Sequence, residues 1–430
     1  MPSITSQYLA RFRRLDAGEG APVLLPVTGA QRRFALVRAM DPAGRPDLVP
    51  MFFAFPRGTV DADRLAAAAN RLAALHPVLR SRPTVQRGTP ALRLEQPQVP
   101  VVRLACAPGE DAAVVLRRAL DGWSTQGAPL RLFLVPDGPQ GTEEVLAVVL
   151  DHLACDGQSL ARLAGELGAA YDRGTGVEGP SPAEAEAELT AYRDAVLLQL
   201  AAEERAGSPE ALAYWGERLR AVREAAPAPQ SAPPAPGTPG GSATVRLPAP
   251  AGGVPFPQLL DACRAAAAAL YGSGPVVPIG YPWGGRPSGA APVLGCFLNT
   301  VVFPTETGQR PDASATAGAW WDDLDHAATP FDAVVHAARA AGSGWSGRLD
   351  GLLTVEDTRR HPPLCLGGVT GREVHVDGRA VRGPFAVSVT QGAELGLRMV
   401  WDRTILPDLS AERAFAALAD TLRTPAPTAG

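Results

Sequence analysis

The strongest chemical signal in the sequence is a short segment around one histidine, Asp151-His152-Leu153-Ala154-Cys155-Asp156-Gly157. His152 ends an apolar run, and an aspartate and a glycine follow it before a helical pattern begins. An imidazole has an ordinary pKa of about 6.5, so at neutral pH it can accept a proton from an attacking amine or alcohol. Gly157 lets a substrate or a backbone segment approach closely. The segment therefore predicts a general base at His152, although the heptapeptide alone leaves a structural role open.

Two other chemistries can be written for the same residues. Cys155 lies three positions from His152 and suggests a cysteine–histidine nucleophile, which we do not favour because a buried thiol behaves mostly as a small hydrophobe. Asp151, His152 and Asp156 could bind a metal ion, but no second histidine lies nearby and no HExxH spacing occurs. Neither a metal site nor a thiol nucleophile is expected.

The elements around this segment should hold His152 rigidly. Two apolar strands are predicted at 130–135 and 144–152, joined by a turn-rich stretch at 137–141. The second strand is almost wholly apolar, as expected for a strand buried on both faces. After Gly157 comes a helix that is apolar on one side at Leu160, Leu163, Ala164 and Leu167. The histidine is thus predicted at a junction between strand and helix.

The whole chain divides into two halves of similar size. Residues 225–242 are almost entirely Ala, Pro, Gly, Gln and Ser, a composition that predicts an extended linker. Strands and helices are predicted on both sides of it without strict alternation, which favours an α+β fold over a doubly wound dinucleotide fold. Helices are expected at 62–75, 182–223, 257–271, 331–341 and 410–422, and further strands at 276–280, 293–303, 351–355, 385–389 and 395–401.

Composition excludes several classes of protein. The chain has 430 residues, 46% of them hydrophobic, and its 40 basic and 44 acidic residues give a net charge of −4. We therefore expect no binding to nucleic acid or to a membrane. No lysine is present, which excludes a Walker-type phosphate loop and Schiff-base catalysis. The five cysteines are scattered and form no CxxC pair. The sequence has no apolar stretch long enough to span a membrane and no secretory signal. These features predict a cytoplasmic protein.

The sequence resembles a known family. Residues 151–157 look like the HHxxxDG motif of nonribosomal peptide synthetase condensation domains, which belong to the wider chloramphenicol acetyltransferase-like group. Six more segments resemble motifs of that family and follow the family's order: 25–33, 71–80, 213–219, 280–286, 295–300 and 326–331. Several of these matches are weak alone, but together they are specific.

The resemblance implies an architecture. The family has two chloramphenicol acetyltransferase-like α+β lobes arranged as a V, with an active-site tunnel between them. Applied to this chain, it predicts an N-terminal extension at 1–24, an N-terminal lobe at 25–224, the linker at 225–242 and a C-terminal lobe at 243–430.

The resemblance also implies roles for individual residues. His152 matches the histidine implicated in catalysis, and Gly157 matches the glycine whose N–H could face developing negative charge. Asp156 matches a mainly structural aspartate that pairs with the arginine matched by Arg286, a pair expected to tie the two lobes together.

Four further positions carry expectations of their own. Asp151 replaces the first histidine of the motif; we expect it to be structural, packed or salt-bridged behind the site, because neighbouring strand residues point to opposite faces. Cys155, Asn299 and Thr300 are expected to line the tunnel.

The implied function is condensation. An acyl or aminoacyl group would pass from a carrier-protein thioester to an amine or alcohol, forming an amide or ester in natural-product biosynthesis. No bound cofactor is expected, because the phosphopantetheine arm belongs to the partner peptidyl or acyl carrier protein. With no room for adenylation or carrier domains, we expect a free-standing monomer whose acceptor is a small molecule or carrier-bound. The alternatives are an acyl-CoA-dependent acyltransferase and a catalytically silent recruitment domain, for which Asp151 is the warning sign.

Overall fold

The structure is a computed structural model that describes residues 3–15, 22–40, 47–138, 141–176, 178–223, 225, 238–250, 252–308, 312–358 and 363–423. Contacts between Cα atoms divide the chain into two units. Unit 1 comprises Met1–Arg205, Gly284–Leu298 and His361–Val376, and unit 2 comprises Ala206–Trp283, Asn299–Arg360 and Asp377–Gly430. Two segments from the second half of the chain therefore belong with the first half. The division is not the linear one expected on either side of residues 225–242.

The described residues form a mixture of helices and strands. The helices are α1 Ile4–Phe12, α2 Gly29–Met40, α3 Ala62–Leu75, α4 Ala112–Asp121, α5 Gly157–Arg173, α6 Pro182–Ala206, α7 Pro209–Arg218, α8 Phe256–Tyr271, α9 Ala313–Asp325, α10 Phe331–Ala340 and α11 Asp408–Arg423. The strands are β1 Leu24–Leu25, β2 Leu48–Pro56, β3 Ser81–Gln86, β4 Thr89–Leu94, β5 Val101–Arg103, β6 Leu130–Pro136, β7 Glu143–Asp151, β8 Gly240–Pro248, β9 Val276–Gly284, β10 Leu298–Glu306, β11 Gly351–Asp357, β12 Cys365–Leu366, β13 Val369–Thr370, β14 Arg372–Glu373, β15 Phe385–Gln391 and β16 Glu394–Asp402. The predicted α+β class is confirmed.

Unit 1 is built on a five-stranded sheet with the strand order β14-β2-β7-β6-β5. The central strand β7 runs antiparallel to both β2 and β6. Its side chains alternate between two apolar clusters: Leu146, Val148 and Leu150 lie in one, and Ala147 and Val149 in the other. This burial on both faces explains the almost continuous apolar sequence of β7, as predicted. Unit 1 also contains a three-stranded sheet with the strand order β1-β4-β3.

Unit 2 is built on a six-stranded sheet with the order β10-β9-β11-β15-β16-β8. β11 pairs in parallel with β9 and β15, whereas β16 is antiparallel to β15 and β8. Its core contains three tryptophans buried to 1% exposure or less, Trp215, Trp345 and Trp401. The helices α8 and α11 both contribute buried alanines to this core, which lets helix backbones pack closely.

Several boundaries differ from the expectations. Of the strand predicted at 293–303, only the part from Leu298 onward is a strand, because the backbone N–H groups of Gly295 and Phe297 donate to side chains of unit 1. The expected N-terminal extension contains α1, whose Tyr8 is buried in the core of unit 1. Most of the predicted linker, 226–237, lies outside the described residues, while 240–242 already belong to β8.

Candidate functional site

His152 lies where β7 ends and a short 3-10 turn, His152–Ala154, begins. Its backbone N–H donates to the carbonyl of Asp47 at 2.9 Å, and its Nδ1 lies 3.1 Å from the carbonyl oxygen of Cys155. A carbonyl oxygen only accepts hydrogen bonds, so Nδ1 carries a proton, and in the neutral ring the lone pair is then on Nε2. No partner of Nε2 is found in the described part of the chain. The half-buried imidazole is therefore held in the tautomer that a general base needs.

The ring of His152 is fixed from one side by Phe34 of α2. The two ring centroids lie 4.7 Å apart and the planes meet at 25°, a stacked arrangement. Phe34 is itself half-buried, so the pair lies at the boundary between the core of unit 1 and its surface. With Nδ1 hydrogen-bonded and the ring face covered, little rotation of the imidazole remains.

Helix α2 also binds the residues on either side of His152. Gln31, fully buried, donates from Nε2 to the carbonyl of Leu153 at 2.7 Å. Arg38 contacts both carboxylate oxygens of Asp151 at 3.0 Å through Nη2. Residues 31, 34 and 38 are separated by three and four positions, which places them on one side of a helix. One stripe of α2 therefore holds three consecutive residues of the motif.

Asp151 occupies a salt-bridged position next to the site. Besides pairing with Arg38, its Oδ1 accepts the backbone N–H of Leu153 at 3.0 Å, and only 4% of the residue is exposed. Asp151 shares a face of β7 with Val149, whereas Leu150 lies on the opposite face. The carboxylate of Asp151 is thus salt-bridged to α2 and caps the turn that begins at His152.

Asp156 lies at the centre of a second network, at the N-terminus of α5. Its Oδ1 accepts the backbone N–H of Ser159 at 3.0 Å and caps the helix, and its Oδ2 accepts the N–H of Phe297 at 2.9 Å. Arg286 contacts Oδ2 at 3.3 Å and also donates to the carbonyl of Val293 at 2.8 Å. The buried carboxylate thus has partners on both oxygens, as a buried charge requires.

The partners Asp156 and Arg286 both belong to unit 1. The guanidinium of Arg286 also stacks over the ring of Phe297, with Cζ 4.7 Å from its centroid. Their ion pair joins the first half of the chain to the segment Gly284–Leu298 of the second half, and this segment belongs to unit 1. Its location inside one unit follows from the side-chain bonds that anchor this segment.

Gly157 and Cys155 have opposite surroundings. Gly157 is the exposed first residue of α5, and a Cβ at that position would meet no atom within 4 Å. Cys155 is 1% exposed and lies in the core of unit 1, where burial raises the pKa of its thiol well above the ordinary value. A buried thiol with a raised pKa is a poor nucleophile at neutral pH, and a tunnel-lining position for Cys155 stays a prediction.

Asn299 and Thr300 lie at the start of β10, in unit 2. The amide of Asn299 donates to the carbonyls of Ala327 and Thr329 at 2.8 and 2.7 Å and accepts the N–H of Phe331 at 3.2 Å. The side chain of Asn299 is therefore committed to holding the turn before α10. A tunnel-lining role for Asn299 and Thr300 stays a prediction.

Sequence reasoning did not identify Phe34 and Arg38 as site residues. The helical spacing of 31, 34 and 38 was the available signal, but three arginines within α2 obscure an apolar stripe. Within the described ranges, no cluster of side chains suited to a metal ion occurs, and no helix is long and apolar enough to cross a membrane.

The comparisons with known proteins begin with the sequence. No protein-family model matches the chain. The probable non-canonical nonribosomal peptide synthetase CymA of Salinispora arenicola (strain CNS-205) is 26% identical over 458 residues, which cover 92% of this chain. The chain corresponds to only 6% of the length of that synthetase.

The similar solved structures match this chain over almost their whole length. The first condensation domain of the calcium-dependent antibiotic synthetase, in complex with a substrate analogue, has a TM-score of 0.71 at 17% identity and covers 94% of this chain and 98% of its own. The X-domain from teicoplanin biosynthesis has a TM-score of 0.70 at 19% identity, with 95% and 97% coverage. The same X-domain is also known in complex with OxyB, with a TM-score of 0.67 at 19% identity and 95% coverage of both chains.

These likenesses define the class of fold. The chain has the fold of the condensation domain and the X-domain in these solved structures. The resemblance stated from the sequence motifs is confirmed at this level.

Proposed function

We propose that the chain is a condensation enzyme that transfers an acyl or aminoacyl group from a carrier-protein thioester to an amine or alcohol. One observation carries the proposal: the imidazole of His152, held by the Cys155 carbonyl and by Phe34, keeps its Nε2 lone pair for a proton. The condensation-type fold and the synthetase relative support the choice of a thioester donor.

The reaction would proceed by addition and elimination. The acceptor nitrogen or oxygen attacks the thioester carbonyl carbon, and Nε2 of His152 takes the proton that the acceptor loses. The carbon–sulfur bond then breaks, and the thiolate of the phosphopantetheine arm leaves and receives that proton. The N–H of Gly157, at the positive end of α5, would stabilise the negative oxygen of the intermediate. Much of the rate would come from holding both reactants together.

Two alternatives use the same fold. An acyl-CoA-dependent acyltransferase would need the same base but a soluble donor. A recruitment domain would bind a partner protein without turnover; the teicoplanin X-domain in complex with OxyB shows that a protein of this fold can bind a protein partner. The preserved tautomer of His152 favours catalysis, since binding alone does not require it.

The experiment compares donors on one acceptor panel. Acyl groups loaded on a carrier protein and the same groups on coenzyme A are incubated with the full chain, and product is measured by mass spectrometry. Product from the carrier and not from coenzyme A supports the proposal. Product from coenzyme A alone supports the first alternative, and binding without any product supports the second.

A further inference from the structure

Three arginine side chains gather around the single carboxylate of Asp151. Arg38 of α2 contacts it directly at 3.0 Å. Arg131 of β6 pairs with Val149 of β7, which shares a face of the sheet with Asp151. Arg82 of β3 interacts electrostatically with both Asp151 and Arg131. The three guanidiniums come from elements far apart in the sequence, and each of them interacts with the carboxylate at the end of β7.

Positive charge exceeds negative charge in this cluster. Asp151 is the carboxylate that Arg38, Arg82 and Arg131 share. Glu95 also acts on Arg82, but it is already bound to Arg93 at 2.6 Å. Among the residues that the structure describes, positive charge therefore exceeds negative charge around this carboxylate.

Each of the three guanidiniums also buries an N–H group that meets no acceptor. The atoms are Nη1 of Arg38, Nη1 of Arg82 and Nε of Arg131, among the residues that the structure describes. A buried donor without an acceptor is costly, so such groups in a native protein require an explanation. Burial lowers the pKa of Arg82 and of Arg131, which reflects the same loss of solvent.

We propose that Arg38, Arg82 and Arg131 form a binding site for an oxyanion, either a carboxylate or a phosphate group. Planar guanidiniums donate paired N–H bonds that match the oxygen spacing of both groups. A bound oxyanion would supply acceptors to the three buried donors and neutralise most of the excess charge.

The position of the site indicates which molecule carries the oxyanion. Asp151, at the edge of the cluster, immediately precedes His152 in the sequence. Given the proposed function, the source is the carboxylate of a small acceptor or the phosphate of a phosphopantetheine arm. The anion site itself does not depend on catalysis, so binding measurements test it separately.

The test uses the full chain and the fluorescence of Trp123. The guanidinium of Arg131 lies 4.0 Å from the centre of the Trp123 ring, so an anion at the site changes the surroundings of this indole. Acetate, inorganic phosphate, pantetheine and pantetheine 4′-phosphate are titrated at constant ionic strength. A Trp123→Phe variant identifies the signal among the seven tryptophans.

The matched control is Arg87, an exposed arginine in the turn between β3 and β4. We expect saturable binding, weakened at least tenfold by Arg82→Gln and changed less than twofold by Arg87→Gln. Asp151→Asn should tighten binding, since it removes the competing carboxylate. A lower midpoint for pantetheine 4′-phosphate than for acetate identifies the phosphate source, and the reverse identifies the carboxylate.

Two results would overturn the site. One is the absence of saturable binding of every probe to the unmodified chain. The other is equal weakening by Arg82→Gln and Arg87→Gln, which would show general attraction to surface charge. Circular dichroism confirms that each variant is folded; if Arg82→Gln is not, Arg82→Lys, which keeps the charge but loses the paired donors, takes its place with the same expected direction.

Discussion

The aromatic ring of Phe34 lies on the imidazole of His152, with 4.7 Å between centroids. The two residues are 118 positions apart, and the contact is made because α2 packs along the turn that follows β7. Gln31 and Arg38, from the same stripe of the helix, hold Leu153 and Asp151. The orientation of the imidazole thus depends on a helix that contributes no proton-transfer group.

Replacing Phe34 with leucine should lower turnover without unfolding the chain. The shorter side chain keeps apolar contact but no longer stacks on the imidazole, so His152 samples unproductive orientations. We expect turnover to fall by about tenfold to hundredfold, the usual cost of a misplaced catalytic group. Leu36→Ala, an exposed position on the same helix, is the control and should leave turnover unchanged. Equal turnover of Phe34→Leu and the unmodified chain would show that stacking does not position the ring.

The Asp151–Arg38 ion pair should show strong coupling in a double-mutant cycle. Each single change, Asp151→Asn or Arg38→Gln, breaks a direct ion pair in a largely buried place and should cost about 3 kcal/mol in the free energy of unfolding. The double variant should lose much less than the sum of the two losses. Urea unfolding of the four proteins measures the coupling, and additive losses would mean that the pair contributes nothing as a pair.

Arg286→Lys should loosen the segment Gly284–Leu298. A lysine keeps the charge near Asp156 but cannot also donate to the Val293 carbonyl and stack on Phe297. Hydrogen exchange in this segment should become faster, with exchange in β7 unchanged. Arg220→Lys, whose pair with Glu217 is exposed, is the control and should change neither. Unchanged exchange after Arg286→Lys would show that charge alone anchors the segment.

A buried histidine outside the site should make stability depend on pH. His76 is fully buried, with Nδ1 2.9 Å from Glu188 and Nε2 2.5 Å from Glu166. Burial opposes its charge, but the two hydrogen bonds together raise its pKa above the ordinary value. The folded state therefore binds this proton more tightly than the unfolded chain.

The direction of the pH dependence of stability follows from the difference between the pKa of His76 in the folded and in the unfolded chain. The stabilisation is complete below the unfolded pKa of about 6.5 and is lost as the pH rises through the raised pKa of His76. The melting temperature should fall over this range, and His76→Gln should flatten the fall. His336→Gln, at an exposed position, should keep it. A slope unaffected by His76→Gln would rule out His76 as its source.

Local patterns in the sequence predicted the helices and strands. Contacts between residues far apart in the sequence determined the features that local patterns could not predict. Leu65, Ala68 and Leu72 recur at helical spacing, and the helix 62–75 was confirmed with both ends correct. The apolar run at 293–297 looked like a strand, yet its N–H groups bond to side chains about 140 residues away.

In the candidate site, too, neighbouring residues determine some features and residues far apart in the sequence determine others. The strand end, the turn and the cap at Asp156 follow from neighbouring residues. The partner of Asp151 could not be chosen in this way, since any of 40 arginines had the right chemistry and only the packing of α2 selects Arg38.

The most direct test of the account is the single-turnover rate of acyl transfer from a loaded carrier protein to a competent acceptor, measured for His152→Ala. General base catalysis predicts a rate lower by about a hundredfold to ten-thousandfold, with carrier binding retained. His336→Ala, the exposed histidine of α10, should react at the unmodified rate. A His152→Ala variant that transfers the acyl group within twofold of the unmodified chain would contradict the account.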